Sequence, residues 1–538
     1  MGRLSFSIIG ITLAVTAVAL PHLGNPLGIP IQLSANFAEL RPDHFHSGLD
    51  FKTEGRCGLP VYSAADGYVS GVEVGPWGFG RAVYVTHPQL GLVTVYGHLE
   101  SFSPEVDKVV RDEQYRRESF DIEMEFPAGQ FPVSKGQEIG RSGNAGGSGG
   151  PHLHFNVHDL STGDALDPLP YYRDRIKDTE PPYCKELYLF GEPGRGVVES
   201  RSGETFTAWG QVYPAIKAND AMDGQSNIYG VKKITLWVDG HLVWGRNLDR
   251  FTYASTRAIN TLVDYPTLMD GRGWAEWTRV PASRPLSYLV GAGLSNGALI
   301  IDEEREYRCR YELEDGTGNR KSVTFTIRGK RPQKPYKQPT GTLFRWKGHN
   351  TWSLRGAFLD IPARAAYDDF RLTFREDSVV NSRFVSPVYV MEGREVPFAE
   401  PFTLTLDAPK GVSKVCMVRV DGERVIPVDF IYQDGKVTAN LRRFGRYALM
   451  KDETAPSVRL EECSDGYISL IFDDNLSGIE RYRATIDGRF ALFEYDAKND
   501  RLWFRMDPTR FARGSHRLEV SVSDPCLNTK ILRHDFTW

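Results

Sequence analysis

The stretch from residue 143 to residue 154 reads GNAGGSGGPHLH, a glycine-rich run that ends in two histidines. The run cannot form a stable helix or a packed strand, and its glycines let the backbone approach a ligand closely. Side chains alternate between the two faces of a strand, so His152 and His154 would point the same way. We therefore interpret the run as the edge of a binding groove, with a flexible connector as the alternative.

Further candidate metal ligands lie upstream of this run. Seven of the twelve histidines fall within residues 44–158. His46 and Asp50 would share a face if their segment is extended and Gly48 does not bend it, and His98 follows in a Tyr-Gly-His motif. Imidazole and carboxylate are good zinc ligands, a catalytic zinc keeps an open position for water, and nearby imidazoles can move protons. The clustering indicates a metal-hydrolase site rather than scattered core histidines.

In type and order these motifs resemble the lysostaphin-type (LytM-type) zinc metallopeptidases of bacterial cell walls. The resemblance runs over residues 30–170 and rests on His-x-x-x-Asp at His46 and Asp50, the lone His98, and His-x-His at His152 and His154. It implies an antiparallel β-sheet catalytic domain and a zinc ion, Zn2+, bound by His46, Asp50 and His154. It also implies catalytic roles for His98 and His152, with peptidoglycan cross-links or stem peptides as the substrate.

The expected mechanism follows from zinc chemistry. The metal would polarise the scissile carbonyl and lower the pKa of its bound water toward neutrality. A neutral His98 or His152 could take the water proton, and a protonated one could stabilise the oxyanion or protonate the leaving amine. The sequence leaves open which histidine does which. It contains no His-Glu-x-x-His arrangement, so the helix-borne metalloprotease scheme is absent.

Other polar residues near these motifs have simpler interpretations. His44 and His158 continue the two-residue pattern around the implied ligands, but both are expected to lie outside the site. His87 precedes Pro88 in a turn and is expected to be solvated. Tyr96 is expected to pack in the core rather than to donate to the substrate.

Length and composition limit the rest of the chain. With 538 residues, of which 41% are hydrophobic, three or four globular domains are expected. The net charge of −4 and the pI of about 6.3 give no reason to expect a nucleic acid as a partner. After the N-terminus no apolar run approaches the length of a membrane span.

The N-terminus has the pattern of a secretory signal peptide. Arg3 supplies the positive charge, residues 8–20 form the apolar region, and Ala17-Val18-Ala19 is a cleavage site. An uncleaved anchor is the alternative. Export would place the protein in the periplasm or cell envelope, with secretion as the alternative. The expected substrate there is a directly cross-linked stem peptide rather than a glycine bridge.

The whole chain is expected to be all-β, because strand and turn signals continue past residue 175 and long helical patterns are lacking. A helix-strand insertion at 104–131 interrupts the catalytic domain. The expected units are a signal peptide at 1–20, a lysostaphin-type domain at 28–172, an immunoglobulin-like β module at 177–332, a β-rich domain at 338–450 and a second immunoglobulin-like β module at 451–538.

The two immunoglobulin-like modules are predicted from an internal repeat. Residues 177–182 correspond to 451–456, residues 230–240 to 478–488, and residues 315–319 to 524–528. Several short strands with turn signals favour a β-sandwich in each copy. The modules could bind glycan, bind an envelope protein partner, or space the catalytic domain from a surface.

The six cysteines include no Cys-x-x-Cys pair, so a cysteine zinc site or redox motif is not supported. Each repeat copy carries one cysteine near its first strand and one near its last. We therefore expect disulfides between Cys184 and Cys309 and between Cys463 and Cys526, with six free thiols as the alternative.

Three function classes compete for this sequence. The first is a zinc metalloendopeptidase that hydrolyses peptidoglycan, and the second is a noncatalytic regulator of other cell-wall hydrolases built on the same fold. The third is an adhesin-like β protein with an incidental N-terminal domain. A regulator would lack ligands or catalytic histidines, whereas this chain keeps all five residues. The enzyme is therefore favoured.

Overall fold

The computed structural model describes residues 21–191, 197–200, 205–287, 289–292, 296–332, 340–377 and 383–538. The predicted signal peptide, residues 1–20, lies outside them. β-Sheets dominate the described part, which confirms the predicted all-β class. Its helical segments are the α-helices Pro104–Arg117 and Tyr265–Met269 and the 3-10 helices Leu169–Tyr171, Arg173–Arg175, Tyr253–Thr261 and Ala497–Asn499. None of these helices is long and apolar enough to cross a membrane.

The N-terminal domain is built on one central antiparallel sheet. Its main path contains, in spatial order, Leu33–Ala35, Leu49–Lys52, His152–Asp159, Leu92–Gly97, Arg81–His87, Gly67–Val74 and Ile122–Glu125. Pro132–Val133 pairs with one edge of this path, and Ala165–Leu166 links the sheet to Arg250–Phe251. A smaller sheet contains Pro60–Tyr62, Glu138–Ser142 and Leu99–Phe102, and a short hairpin joins Leu40–Arg41 to His44–Phe45.

Side chains alternate along His152–Asp159, an interior strand of the sheet, between the domain core and the opposite face. Leu153, Phe155 and Val157 are fully buried in the domain core, where each contributes about 1.5–3 kcal/mol to stability. The residues that alternate with them, including His152 and His154, project from the opposite face. One strand therefore fixes the core with one face and presents polar groups with the other.

The predicted insertion forms a helix followed by an edge strand. The helix Pro104–Arg117 has proline in its first turn and buries Val106 and Val110 against the domain core. The strand Ile122–Glu125 then pairs with Gly67–Val74 at the edge of the sheet farthest from Leu33–Ala35. The insertion thus extends the sheet instead of forming an independent lobe.

The second part of the chain consists of two sheets that enclose a shared apolar core. One sheet contains Val197–Ser200, Tyr183–Gly191, Gly210–Asn219 and Glu276–Trp277, with Leu299–Ile301 paired to Gly210–Asn219. The other contains Thr205–Ala208, Arg320–Gly329, Glu306–Glu314, Lys233–Val238, His241–Asn247 and Val290–Ala292.

Two further pairs of sheets complete the described chain. The third part has two sheets. The first contains, in spatial order, Thr342–Phe344, Phe370–Asp377, Val388–Glu392, Gly445–Lys451, Val415–Asp421 and Arg424–Pro427. The second contains Asn350–Leu354, Ala357–Ile361, Phe402–Asp407, Lys436–Leu441 and Ile431–Gln433. The last part has Ser457–Ser464, Tyr467–Asp473, Arg501–Arg505 and Glu494–Asp496 in one sheet, and Arg489–Phe490, Arg481–Ile486, Ser515–Ser523 and Thr529–Thr537 in the other. The immunoglobulin-like assignment of the second and last parts stays a prediction.

The expected disulfides are absent. All six cysteines have free thiols, so the predicted pairs Cys184–Cys309 and Cys463–Cys526 are wrong. Cys526 instead lies beside Cys416 in a small buried cluster that joins the third and last parts of the chain. Sequence position within the repeat could not reveal this contact, because Cys416 lies outside both copies.

Candidate metal centre

Strand pairing brings together residues that are far apart in sequence. His154 lies directly opposite Asp50 on one neighbouring strand and opposite Gly97 on the other. His98 follows Gly97 at the end of its strand, with a left-handed φ of 59°. His46 is not in a strand, since the chain bends at Gly48 before the strand Leu49–Lys52 begins. The bend nevertheless leaves His46 beside Asp50.

Three side-chain atoms converge at this point. His46 Nε2 lies 3.0 Å from Asp50 Oδ1 and 3.1 Å from His154 Nδ1. His154 Nδ1 lies 2.8 Å from the same Asp50 oxygen. All three residues are less than a tenth exposed. Two nitrogens and one oxygen therefore face a common centre in a buried site, as ligands of a single metal ion would.

A backbone carbonyl fixes the orientation of His46. The Asn36 carbonyl oxygen lies 2.7 Å from His46 Nδ1, so this nitrogen carries the proton and donates it. Nε2 is then the nitrogen that faces Asp50; burial opposes protonation of His46, yet the Asp50 carboxylate raises its pKa above the ordinary value. The Asn36 side chain is itself held by Gly230, whose carbonyl accepts from Asn36 Nδ2 at 2.7 Å and whose N–H donates to Oδ1 at 2.9 Å. The second part of the chain therefore helps to hold the imidazole of His46 in place.

The Asn156 side chain fixes the orientation of His154 in the same way. His154 Nε2–H donates to Asn156 Oδ1 at 2.6 Å, which leaves Nδ1 free to face Asp50. Asn156 Nδ2 in turn donates to the hydroxyl of Tyr253 at 3.1 Å, again from the second part of the chain. Such outer contacts set the tautomer of a ligating histidine and hold its ring in place.

The glycine run holds the two remaining histidines. His98 Nδ1–H donates to the Ala145 carbonyl at 2.8 Å, and His152 Nδ1–H donates to the Gly150 carbonyl at 2.8 Å. The two imidazole rings lie 4.7 Å apart, and His152 Nε2 lies 3.5 Å from Asp50 Oδ1. Both rings therefore keep Nε2 for the edge of the three-residue cluster, where the Nε2 of His152 approaches Asp50.

Burial and mutual contacts shift the pKa values of these groups. Burial alone would raise the pKa of Asp50, but His46, His152 and His154 together hold it well below its usual range. Burial, with repulsion from His154 and His152, lowers the pKa of His98 to about 3. Burial also opposes protonation of His152, yet its contact with Asp50 raises its pKa above the ordinary value.

The structure also places the other polar residues near the sequence motifs. His44 is exposed and hydrogen-bonds to the Pro42 carbonyl, and His158 contacts the Tyr253 hydroxyl, so neither joins the three-residue cluster. Tyr96 is fully buried, as expected for a packing residue. The expectation for His87 is wrong: it is 0% exposed, because its ring turns inward to the Asp66 carbonyl and the Thr94 hydroxyl.

Sequence reasoning missed the residues that hold the histidines. Asn156 could have been found, since it lies two positions after His154 on the same face of a strand. Asn36 holds His46 through its backbone carbonyl, a group that every residue carries, so the residue type at this position does not reveal the contact. The carbonyls of Ala145 and Gly150 are equally invisible, although the glycine run that carries them is a clear sequence feature.

Comparisons with known proteins find relatives of the N-terminal domain and a family match in the third part of the chain. The model of peptidase family M23 matches residues 44–115, and that of the Zu5-like domain matches residues 341–452. An uncharacterized metalloprotease of Haemophilus influenzae is 36% identical over 124 residues, which are 23% of this chain. The match covers 20% of that relative, so this chain spans about a fifth of its length.

Two solved structures are also similar to the chain. The catalytic domain of lysostaphin from Staphylococcus simulans is 22% identical and covers 26% of this chain and 91% of its own, with a TM-score of 0.20. Helicobacter pylori Csd3 is 29% identical and covers 28% of this chain and 33% of its own, with a TM-score of 0.18. The match to family M23 and the metalloprotease relative confirm that the N-terminal domain resembles the lysostaphin-type metallopeptidases.

Proposed function

We propose that the chain is a zinc metalloendopeptidase that hydrolyses peptide cross-links of bacterial peptidoglycan. The observation that carries the proposal is the convergence of His46 Nε2, Asp50 Oδ1 and His154 Nδ1 within 3.1 Å of one another. Both histidines have the opposite ring nitrogen tied to an oxygen, so their lone pairs face each other. Such an arrangement favours a bound cation.

The donor set fits zinc. Two imidazole nitrogens and one carboxylate oxygen are a ligand set of catalytic zinc sites, which keep one position open. When bound there, zinc would supply polarisation of the scissile carbonyl and a lowered pKa for a water molecule. His46, Asp50 and His154 would hold the ion, and Asn36 and Asn156 would keep the two imidazoles in the required tautomers.

His98 and His152 are the proposed proton-transfer residues. Each donates Nδ1–H to a carbonyl of the glycine run, so Nε2 is the nitrogen available to a reacting group. Their rings stand side by side at the edge of the cluster. One of them can take a proton from the attacking water while the other stabilises the oxyanion or protonates the leaving amine.

A cleft beside the cluster supports a short charged peptide as the substrate. The cleft has a volume of about 370 Å³ and is lined by Asp50, His152 and residues 149–150 of the glycine run. Arg41 and Lys52 also line it and could pair with carboxylates of a ligand, while Glu54 and Asp50 add negative charge to the same cleft. Peptidoglycan stem peptides are short, flexible and carry free carboxylates, which suits this cleft.

We further propose that the protein acts after export, in the periplasm or cell envelope, where its substrate lies. Secretion is the alternative. The parts of the chain after residue 177 are proposed to position the catalytic domain in the envelope, through a protein partner or through the wall itself. Directly cross-linked stem peptides are the proposed targets.

Digestion of purified sacculi tests the substrate. The zinc-loaded protein is incubated with sacculi that contain direct cross-links and with sacculi that contain pentaglycine bridges. We expect release of monomers from directly linked dimers. Cleavage of pentaglycine alone would contradict the proposed substrate, and a zinc-loaded protein that cleaves neither would favour the noncatalytic regulator.

A further inference from the structure

A second group of potential metal ligands lies in the second part of the chain. Asp178, Asp220 and Asp315 bring carboxylate oxygens within 4.8 Å of one another. Asp178 lies in the segment that enters this part, Asp220 follows the strand Gly210–Asn219, and Asp315 follows the strand Glu306–Glu314. The three carboxylates therefore meet where the second part joins the N-terminal domain.

Asp220 is buried without a hydrogen-bond partner. It is 1% exposed, and neither of its carboxylate oxygens has a partner of normal geometry; the nearby Ala221 N–H only approaches it. Among the described residues, no lysine, arginine or histidine forms an ion pair with Asp178, Asp220 or Asp315. An unpaired buried carboxylate is costly, and two further carboxylates beside it increase that cost.

Asp315 shows that the neighbouring turn is built to hold a carboxylate in place. Its Oδ1 accepts from the backbone N–H groups of Thr317, Gly318 and Asn319 at 2.6–2.9 Å. Those N–H groups orient the carboxylate of Asp315 but donate no hydrogen bond to the carboxylate of Asp220. Burial and the charges of Asp315 and Asp178 raise the pKa of Asp220 to about 8, as expected for excess negative charge.

We propose that Asp178, Asp220 and Asp315 bind a calcium ion. The ligand set is all oxygen and strongly anionic, which suits a hard divalent cation, whereas zinc prefers sites that include nitrogen or sulfur. Calcium takes about six to eight oxygen ligands in irregular geometry, so backbone carbonyls and water would complete its shell. Magnesium demands a stricter octahedron and fits three converging carboxylates less well.

The second repeat copy contains a related cluster that serves as an internal comparison. Asp452, Asp474 and Asp524 also bring carboxylate oxygens within 4.8 Å. Here Asp474 Oδ2 accepts from two backbone N–H groups, those of Leu476 and Gly478, and only its Oδ1 lacks a partner. The first cluster therefore has more carboxylate oxygens without a hydrogen-bond partner, and the calcium site is assigned there.

The position of the first cluster gives the ion a structural role. Asp220 exchanges two backbone hydrogen bonds with Tyr229, whose hydroxyl donates to the Leu33 carbonyl at 2.8 Å. The next residue, Gly230, holds the Asn36 side chain. A calcium ion at Asp220 would thus steady the loop 220–230, and through Asn36 the backbone that orients His46.

Calcium binding to the zinc-loaded full chain tests the site. Calcium content is measured by equilibrium dialysis and metal analysis for the wild type, for Asp220→Asn, and for Asp302→Asn, which removes an exposed carboxylate outside the cluster from the same part of the chain. We expect Asp220→Asn to bind one calcium fewer than the wild type at about 1 mM calcium. Asp302→Asn should bind the wild-type amount.

Thermal unfolding of the same proteins separates ion binding from misfolding. Calcium should raise the melting temperature of the wild type and of Asp302→Asn but have a smaller effect on Asp220→Asn. Without calcium, Asp220→Asn should be at least as stable as the wild type, because an uncharged amide avoids the repulsion between Asp220 and the two neighbouring carboxylates. Equal calcium contents in the wild type and Asp220→Asn, no bound calcium in the wild type, or stabilisation by magnesium alone would overturn the proposal.

Discussion

At the scale of the residue, hydrogen bonds to neighbouring oxygens define the geometry of the proposed metal centre. Asn36 and Asn156 each accept a hydrogen bond from one imidazole N–H, so the opposite ring nitrogen is available to a metal ion. Asp50 then lies within 3.0 Å of both of these nitrogens, His46 Nε2 and His154 Nδ1. The sequence motifs predicted that His46, Asp50 and His154 would lie together, and the structure brings them together. The oxygens that hold the two imidazoles belong to the backbone or to an amide with no motif of its own.

Loss of any proposed ligand should release the metal. His46→Ala, Asp50→Ala and His154→Ala each leave two ligands, so zinc should be lost and hydrolysis abolished. Metal analysis of the purified variants checks this. His44→Ala, which changes an exposed histidine two residues from His46, should retain both zinc and activity. Stoichiometric zinc in all three ligand variants would show that the ion lies elsewhere.

Proton-transfer residues should behave differently from ligands. His98→Ala and His152→Ala are expected to keep zinc but to lose about a hundredfold or more in rate, the usual scale for general acid–base groups. Zinc content and turnover are measured on the same preparations. A variant that loses zinc together with activity would be reassigned as a ligand.

His87 should titrate below the ordinary range of histidine. Burial lowers its pKa, so the unfolded chain binds a proton more readily than the folded chain does. The contribution of His87 to the free energy of unfolding is therefore complete above about pH 6.5 and falls as the pH decreases below that value. An NMR titration, with His87→Gln to identify the signal, checks this; a midpoint at or above 6.5 would contradict it.

At the scale of the element, the glycine run is a support for the histidines rather than a flexible connector. Gly146 has a left-handed φ of 67°, and a Cβ there would lie 2.3 Å from the backbone nitrogen of Gly80. This close packing places the Ala145 carbonyl next to His98. Glycine is required at Gly146 by both conformation and space.

Replacing a single glycine should test that role. Gly146→Ala must move the run away from Gly80 and shift the Ala145 carbonyl, so the rate should fall by tens to about a hundredfold while zinc is retained. Gly147→Ala is the matched control, because a Cβ added there would meet nothing nearer than the Gly78 carbonyl oxygen at 3.5 Å, an ordinary contact, and the φ of Gly147 is not left-handed. Equal rates for the two variants would show that the run does not position His98.

Strand alternation made part of the site predictable. His152 and His154 share a face because they lie two residues apart in a strand, and their core neighbour Leu153 is fully buried. His46 was less predictable, since the bend at Gly48 takes it out of the strand that carries Asp50. The inward turn of His87 depended on its contacts with Asp66 and Thr94, which no periodicity encodes.

At the scale of the whole molecule, the later parts of the chain contact the N-terminal domain around its site. Arg81 pairs with Glu494 at 3.3 Å, and the Lys498 ammonium donates to the carbonyl of Asn144 in the glycine run. On the opposite side, Gly230 and Tyr253 support Asn36 and Asn156. These contacts join residues separated by nearly a hundred positions or more, so the sequence pattern offered no indication of them.

The all-β class and the domain resemblance were predictable because they depend on local strand signals and short motifs. The arrangement of the parts was not, since it depends on individual polar contacts at their surfaces. The cysteines show the same limit: Cys526 lies beside Cys416 of the third part and not beside Cys463 of its own repeat copy.

The zinc dependence of peptidoglycan hydrolysis tests the central claim most directly. Purified protein is stripped with a chelator, and release of monomers from directly cross-linked dimers is measured before stripping, after stripping and after addition of one equivalent of zinc. We expect activity to disappear with the metal and to return with zinc in the wild type but not in Asp50→Ala. Hydrolysis that persists in the stripped protein, or a zinc-loaded wild type that releases no monomers, would contradict the account.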